Sequence, residues 1–160
     1  MTLIKFRFDI KLRKAYNVTS LKGDVMDTRI TGGGLAMFVG PDSDDCLAIM
    51  EALQSLGFKF IRTESFHEAK QVILKQPLEL LISNVRLGAF NGLHLVLHGK
   101  YKHPEMTAIM IADVADSGLE AEARKMDAIM IHRGASREEW IATARRATDI
   151  SARTVHSTYH

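Results

Sequence analysis

Apolar residues follow two rhythms along this chain. Near the start, Ile4, Phe6, Phe8, Ile10 and Leu12 alternate with Lys5, Arg7, Asp9 and Lys11. A period of two predicts a half-buried extended segment. A polar stretch then runs to Gly32, Gly33 and Gly34, which read as a linker. Residues 1–34 are therefore set apart as an N-terminal extension. It is either an extra edge strand or docking arm, or a segment that carries no fold, with Met26 and Met37 as alternative starts.

From Leu35 a second rhythm begins. Leu35–Val39 is a short apolar run closed by Gly40 and Pro41. Asp42 or Ser43 can then cap a helix that carries Leu47, Ile49, Met50, Leu53 and Leu56. Gly57 ends it, and Lys59 to Arg62 reads as a second strand. Ser65 and Glu68 have the spacing of a capping box for a helix through Ile73, stopped by Pro77. Leu78 to Val85 has the continuous apolar character of a strand buried on both faces. Gly92 to Gly99 reads as a short helix, Thr107 to Ala112 as a strand, and Ser117 with Glu120 as a second capping box. Ala128 to Ile131 is a fifth strand. Ser136 with Glu139 opens a last helix that aligns Trp140, Ile141, Ala144 and Ala147. Residues 151–160 form a polar tail, expected to fray.

Five strands alternating with five helices through short connections predict an α/β fold. The expected sheet is a doubly wound, five-stranded parallel one of flavodoxin-like type, order 2-1-3-4-5, over residues 35–150. Binding and catalysis in such sheets occur at the carboxyl ends of the strands, so those positions are where chemistry is sought.

Composition narrows the function classes. The chain has 160 residues, is 46% hydrophobic and 25% charged, and has a net charge of +2, so no broad nucleic-acid-binding face is expected. One cysteine, Cys46, excludes an internal disulfide and a multi-cysteine metal site. No apolar run approaches the ~20 residues needed to span a bilayer. Lys5, Arg7, Asp9 and Lys11 interrupt any signal-peptide core, so a cytoplasmic protein without membrane partners is expected.

Residues Leu35 to Ala147 resemble the receiver domain of bacterial response regulators. The match is clearest over Leu80-Leu81-Ile82-Ser83-Asn84-Val85-Arg86-Leu87-Gly88-Ala89-Phe90-Asn91-Gly92. The family pattern there is a buried strand, a phosphoacceptor aspartate, a short loop, then Asn-Gly or Asp-Gly opening a helix. The resemblance implies the fold but not the phosphorylation chemistry. Asn84 stands at the phosphoacceptor position, and an amide is not a carboxylate nucleophile. Gly40 and Pro41 stand where the family places the acids that hold Mg²⁺. Ala112 replaces the Thr or Ser at the end of the fourth strand. His132-Arg133 replaces lysine-proline after the fifth, so a trans peptide is expected. Ile129 stands near the position of the family's switch aromatic.

The resemblance thus implies a degenerate receiver with no catalytic residue, no cofactor and no metal. It would work by binding another protein in two-component, phosphorelay signalling: a kinase, another regulator or a second copy of itself. Asp42, Asp44, Asp45 and Asp113 are the acids that a displaced phosphorylation or metal site would use. The bland reading of the first three is an N-cap and first-turn acids favoured by the helix dipole. A small flavodoxin-like enzyme or ligand-binding domain is the other alternative. No DNA-binding effector domain is expected after Ala147. The C-terminal third has a basic bias, and Arg137, Arg145 and Arg146 on the last helix are candidate partner-binding residues. His94, His98 and His103 are spaced as zinc ligands could be, but are better read as an exposed helix side. Cys46 is expected in the core and inert.

Overall fold

The computed structural model describes residues 34–158. The alternating segment from Ile4 to Leu12, Gly32, Gly33 and Met26 lie outside them. Five long strands alternate with five helices. In chain order they are β1 (Leu35–Val39), α1 (Asp44–Ser55), β2 (Lys59–Thr63), α2 (Phe66–Lys75) and β3 (Leu80–Asn84). A two-strand ribbon, β4 (Arg86–Leu87) with β5 (Phe90–Asn91), follows. Then come α3 (Leu93–Lys102), β6 (Thr107–Ala112), α4 (Ser117–Lys125), β7 (Ala128–His132) and α5 (Arg137–Thr158). The main sheet has the order β2-β1-β3-β6-β7 and every pairing in it is parallel. This is the predicted doubly wound topology.

The period of two along each strand sorts side chains into two apolar layers. Ala36, Phe38, Leu80, Ile82, Ile109, Ile111, Ile129 and Ile131 face α1 and α5, where Trp140 is fully buried. Met37, Val39, Leu81, Ala108 and Met110 face α2, α3 and α4. Large apolar side chains buried this way stabilise by roughly 1.5–3 kcal/mol each, so both faces must be covered for the strands to form.

The helix starts follow the sequence with some corrections. Ser43 caps α1, accepting from the backbone N–H of Cys46 at 3.1 Å. Ser136 and Glu139 form the full reciprocal box, with hydrogen bonds of 3.2 and 3.0 Å. At α2, Ser65 accepts from the Glu68 N–H, but the Glu68 carboxylate reaches past it to the N–H of Glu64. The box expected at Ser117 does not form. Asp116, one residue earlier, accepts from Gly118 and Leu119, which leaves Ser117 inside the helix. The loop expected after β3 is the β4–β5 ribbon. The α3 helix runs three residues past Gly99, which sits closely against Met106. Residues expected to fray continue α5 as far as Thr158.

Candidate functional site at the strand ends

The carboxyl ends of β1 and β3 pair in parallel as far as Val39 and Ser83, and the Asn84 side chain lies close to Gly40. A Cβ on Gly40 would lie 2.6 Å from Asn84 Nδ2 and 3.2 Å from its Cγ, and Gly40 has φ +156°. Position 40 therefore tolerates no side chain while Asn84 fills the adjoining space. Asn84 is 6% exposed. Its backbone oxygen accepts from the Ser83 hydroxyl at 2.9 Å, and the next residue, Val85, donates to Ile111 of β6 at 2.9 Å.

The Asn91-Gly92 pair has a purely structural explanation. Asn91 Oδ1 accepts from the N–H of Leu93 at 2.9 Å and satisfies an otherwise orphaned donor at the start of α3. The N–H of Gly92 donates to Val85 at 2.7 Å. A Cβ there would meet the Asn84 carbonyl oxygen at 2.2 Å, so only glycine allows the helix to begin this close to β3.

Sequence reasoning missed Arg62. Its guanidinium lies at the end of β2 with the side chain 1% exposed. Nη1 donates to the Gly40 carbonyl at 3.1 Å, and Nη2 donates to Glu64 Oε1 at 3.1 Å. The signal was present: a permanent cation inside the strand Lys59–Thr63, whose other inner residues are buried. The positive charge affects Cys46, whose thiol is fully buried. Burial pushes that thiol up to about 12, Arg62 opposes the shift, and Asp42 and Asp45 add to it.

The four candidate acids do not assemble. Asp42 and Asp44 are exposed at the α1 start. Asp45, by contrast, is only 8% exposed. It accepts from the Gly134 N–H at 3.1 and 3.2 Å and from Trp140 Nε1 at 3.3 Å. Its role as a mere first-turn acid is thereby corrected: it ties α1 to the β7–α5 turn. Asp113 forms an ion pair with Arg133. Among the described residues, no three His, Cys, Asp or Glu side chains are grouped to hold a metal ion.

Ala112 is buried at the end of β6, and its carbonyl accepts from the Arg133 N–H at 2.9 Å. The His132–Arg133 peptide is trans. His132 is half exposed, with Nε2 3.9 Å from Glu120 Oε1, beyond hydrogen-bond range. Ala112 belongs to the layer against α2, α3 and α4, and Ile129 to the layer against α1 and α5. These two positions therefore do not form one packed relay. Arg137, Arg145 and Arg146 are exposed on α5. His94 and His98 are exposed on α3, while His103 Nε2 donates to the Ile73 carbonyl at 2.8 Å, so the three histidines do not converge.

No protein-family model matches the chain, and no curated protein matches it. Its fold does match solved structures. A response regulator receiver domain protein (CheY-like) from Methanospirillum hungatei JF-1 superposes with TM-score 0.67, covering 76% of this chain and 98% of that one at 15% identity. A response regulator receiver protein from Sinorhizobium medicae WSM419 gives 0.65, over 74% and 97%, at 13% identity. A response regulator from Thermotoga maritima gives 0.64, over 75% and 98%, at 20% identity. The chain has the receiver fold: an α/β, five-stranded parallel sheet wound on both faces. Among the described residues, no helix is long and apolar enough to cross a membrane.

Proposed function

We propose that this chain is a phosphorylation-independent receiver-like domain that acts in two-component signalling by binding another protein. The observation that carries the reading is Asn84. It occupies the end of β3, where the receiver pattern needs a carboxylate nucleophile, and its amide lies close to Gly40. The neighbouring positions support it. Gly40 and Pro41 supply no carboxylate for a divalent cation, Ala112 supplies no hydroxyl, and His132 supplies no permanent charge. Arg62 adds a buried cation that donates to the Gly40 carbonyl, and a metal ion placed there would meet like-charge repulsion. With no phosphoryl group to favour a second state, partner binding is constitutive. Arg137, Arg145 and Arg146 on α5 form the proposed partner contact, in a cytoplasmic setting.

The test is intact-mass spectrometry after incubation with acetyl phosphate and Mg²⁺. The mass is expected to stay unchanged, and a hydroxylamine-sensitive gain of one phosphoryl group would sink the reading. The α5 contact is tested separately. Charge reversal at Arg145 and Arg146 should weaken partner capture and leave the melting temperature nearly unchanged.

A further inference from the structure

Exposed apolar side chains are not spread evenly over the molecule. Six large ones stand out, and four of them, Leu74, Phe90, Leu97 and Tyr101, lie on α2, the ribbon tip and α3. Tyr101 is 91% exposed. Leu97 and Tyr101 are one turn apart and opposite in direction to Gly99, which packs toward Met106 and Ile73, so both point to solvent. Phe90 stacks on Phe66 with ring centroids 4.6 Å apart, and His98 meets the same ring edge-on at 6.1 Å. The ribbon, the start of α2 and α3 therefore meet at one aromatic cluster.

The charge of these elements is mainly positive. Residues 66–76 and 86–102 contain Lys70, Lys75, Arg86, Lys100 and Lys102 against the single acid Glu68, whose carboxylate accepts from the N–H of Glu64. Lys100 is partly buried, which lowers its pKa, and the charge of Asp127 opposes that shift. The other described residues carry more acids than bases, so the basic character is local.

We infer that the α2–α3–ribbon face is a docking surface for an acidic, amphipathic segment of a partner protein. Net basic charge on the elements that carry exposed Leu and aromatic side chains is complementary to a segment with apolar residues on one side and Glu or Asp on the other. A second copy of the chain is a poor occupant, because two such faces would bring like charges together. The exposed aliphatic pair Leu74 and Leu97 favours protein over nucleic acid, where stacking on aromatic rings alone would suffice. This surface lies across the sheet from α5 and does not depend on whether the domain accepts phosphate.

The experiment titrates the full chain with a synthetic amphipathic helical peptide of about 20 residues, Leu on one face and Glu on the other. A control peptide carries Lys for every Glu, and an oligo(dT) strand serves as a third probe. Fluorescence anisotropy gives affinity, and amide NMR shifts give location. The acidic peptide should bind, shift α2, ribbon and α3 amides, and weaken with salt. The Lys peptide should bind at least about tenfold more weakly. Leu97→Glu with Lys102→Glu should weaken the acidic peptide by about tenfold or more, whereas Arg145→Glu with Arg146→Glu changes it by less than about twofold. Unchanged melting temperatures will show that these exposed substitutions leave the fold intact. The inference is overturned if the acidic peptide does not bind or binds no better than the Lys peptide. Shifts that map to α5, or preferential binding of oligo(dT), overturn it equally.

Discussion

The carboxylate of Asp45 receives the backbone N–H of Gly134 on both of its oxygens, at 3.1 and 3.2 Å, across 89 residues of sequence. The same carboxylate accepts from the indole of Trp140, the only tryptophan in the chain. One side chain thus fixes the start of α1, the turn after β7 and the first turn of α5. Asp45→Ala leaves two donors without their charged acceptor. Hydrogen bonds to a buried charge contribute about 1.5–3 kcal/mol, so a loss of roughly 2–4 kcal/mol is expected. In a domain of this size that lowers the melting temperature by on the order of 5–15 °C. Trp140 fluorescence reports the same event directly. An unchanged melting curve with unchanged emission would show that the contact carries no stability.

The fit of Asn84 to Gly40 makes a coupled prediction. Gly40→Ala places a methyl group 2.6 Å from Asn84 Nδ2 and should destabilise by about 1–3 kcal/mol. Asn84→Ala in the same chain removes the obstacle and should recover part of that loss. The backbone at φ +156° keeps the recovery incomplete. Denaturant unfolding of both single variants and the double variant measures the interaction. Strict additivity would mean that the two residues do not interlock.

Much of the fold was legible because it depends on period and punctuation. The strands at Leu35–Val39 and Thr107–Ala112 match their apolar runs residue for residue. What was not legible was which of several neighbouring polar residues would win a role. Asp116 and Ser117 can both cap α4, and only the chain path into the helix decides for Asp116. Asp42, Asp44 and Asp45 read alike, yet the helix turns Asp45 toward Gly134, a long-range contact that no local pattern encodes. At the site, the strand-end positions of Asn84, Ala112 and His132 were legible, because each closes an apolar run. Arg62 was legible as a cation inside a buried strand, but its contact with the Gly40 carbonyl was not, because a backbone acceptor leaves no trace in residue type.

Cys46 gives a pH dependence. Burial raises its thiol from an ordinary 9.0 to about 12. The folded state then holds the proton more tightly than the unfolded state. The associated stability is complete below pH 9 and is lost as pH rises toward 12, by at most ~1.4 kcal/mol per pH unit. Other groups titrate in that range, so the comparison is with Cys46→Ala across the same pH series. The wild-type curve should fall more steeply above pH 9, while parallel curves would show that the thiol is not held protonated. A thiol reagent at pH 8 should label Cys46 only on unfolding.

Arg62 sets two opposing effects against each other. Its hydrogen bonds to Gly40 and Glu64 are charge-assisted, worth about 1.5–3 kcal/mol each when desolvated. The Glu64 side chain is 40% exposed, so that pair is screened and contributes toward the low end. Burying the guanidinium costs several kcal/mol. The two nearly cancel. Arg62→Met, which keeps the apolar length and removes the buried charge, should therefore change stability by less than about 1 kcal/mol. Arg62→Ala also leaves a cavity and should cost roughly 2–4 kcal/mol. A second readout follows from charge: Arg62 opposes the upward shift of the Cys46 thiol, so Arg62→Met should raise that thiol further. The loss of stability at high pH would then begin at the same pH and extend further before levelling. Chemical denaturation of both variants at pH 7 and above pH 9 tests this. Equal losses for Met and Ala would show that the guanidinium's bonds, and not its packing, hold the end of β2 in place.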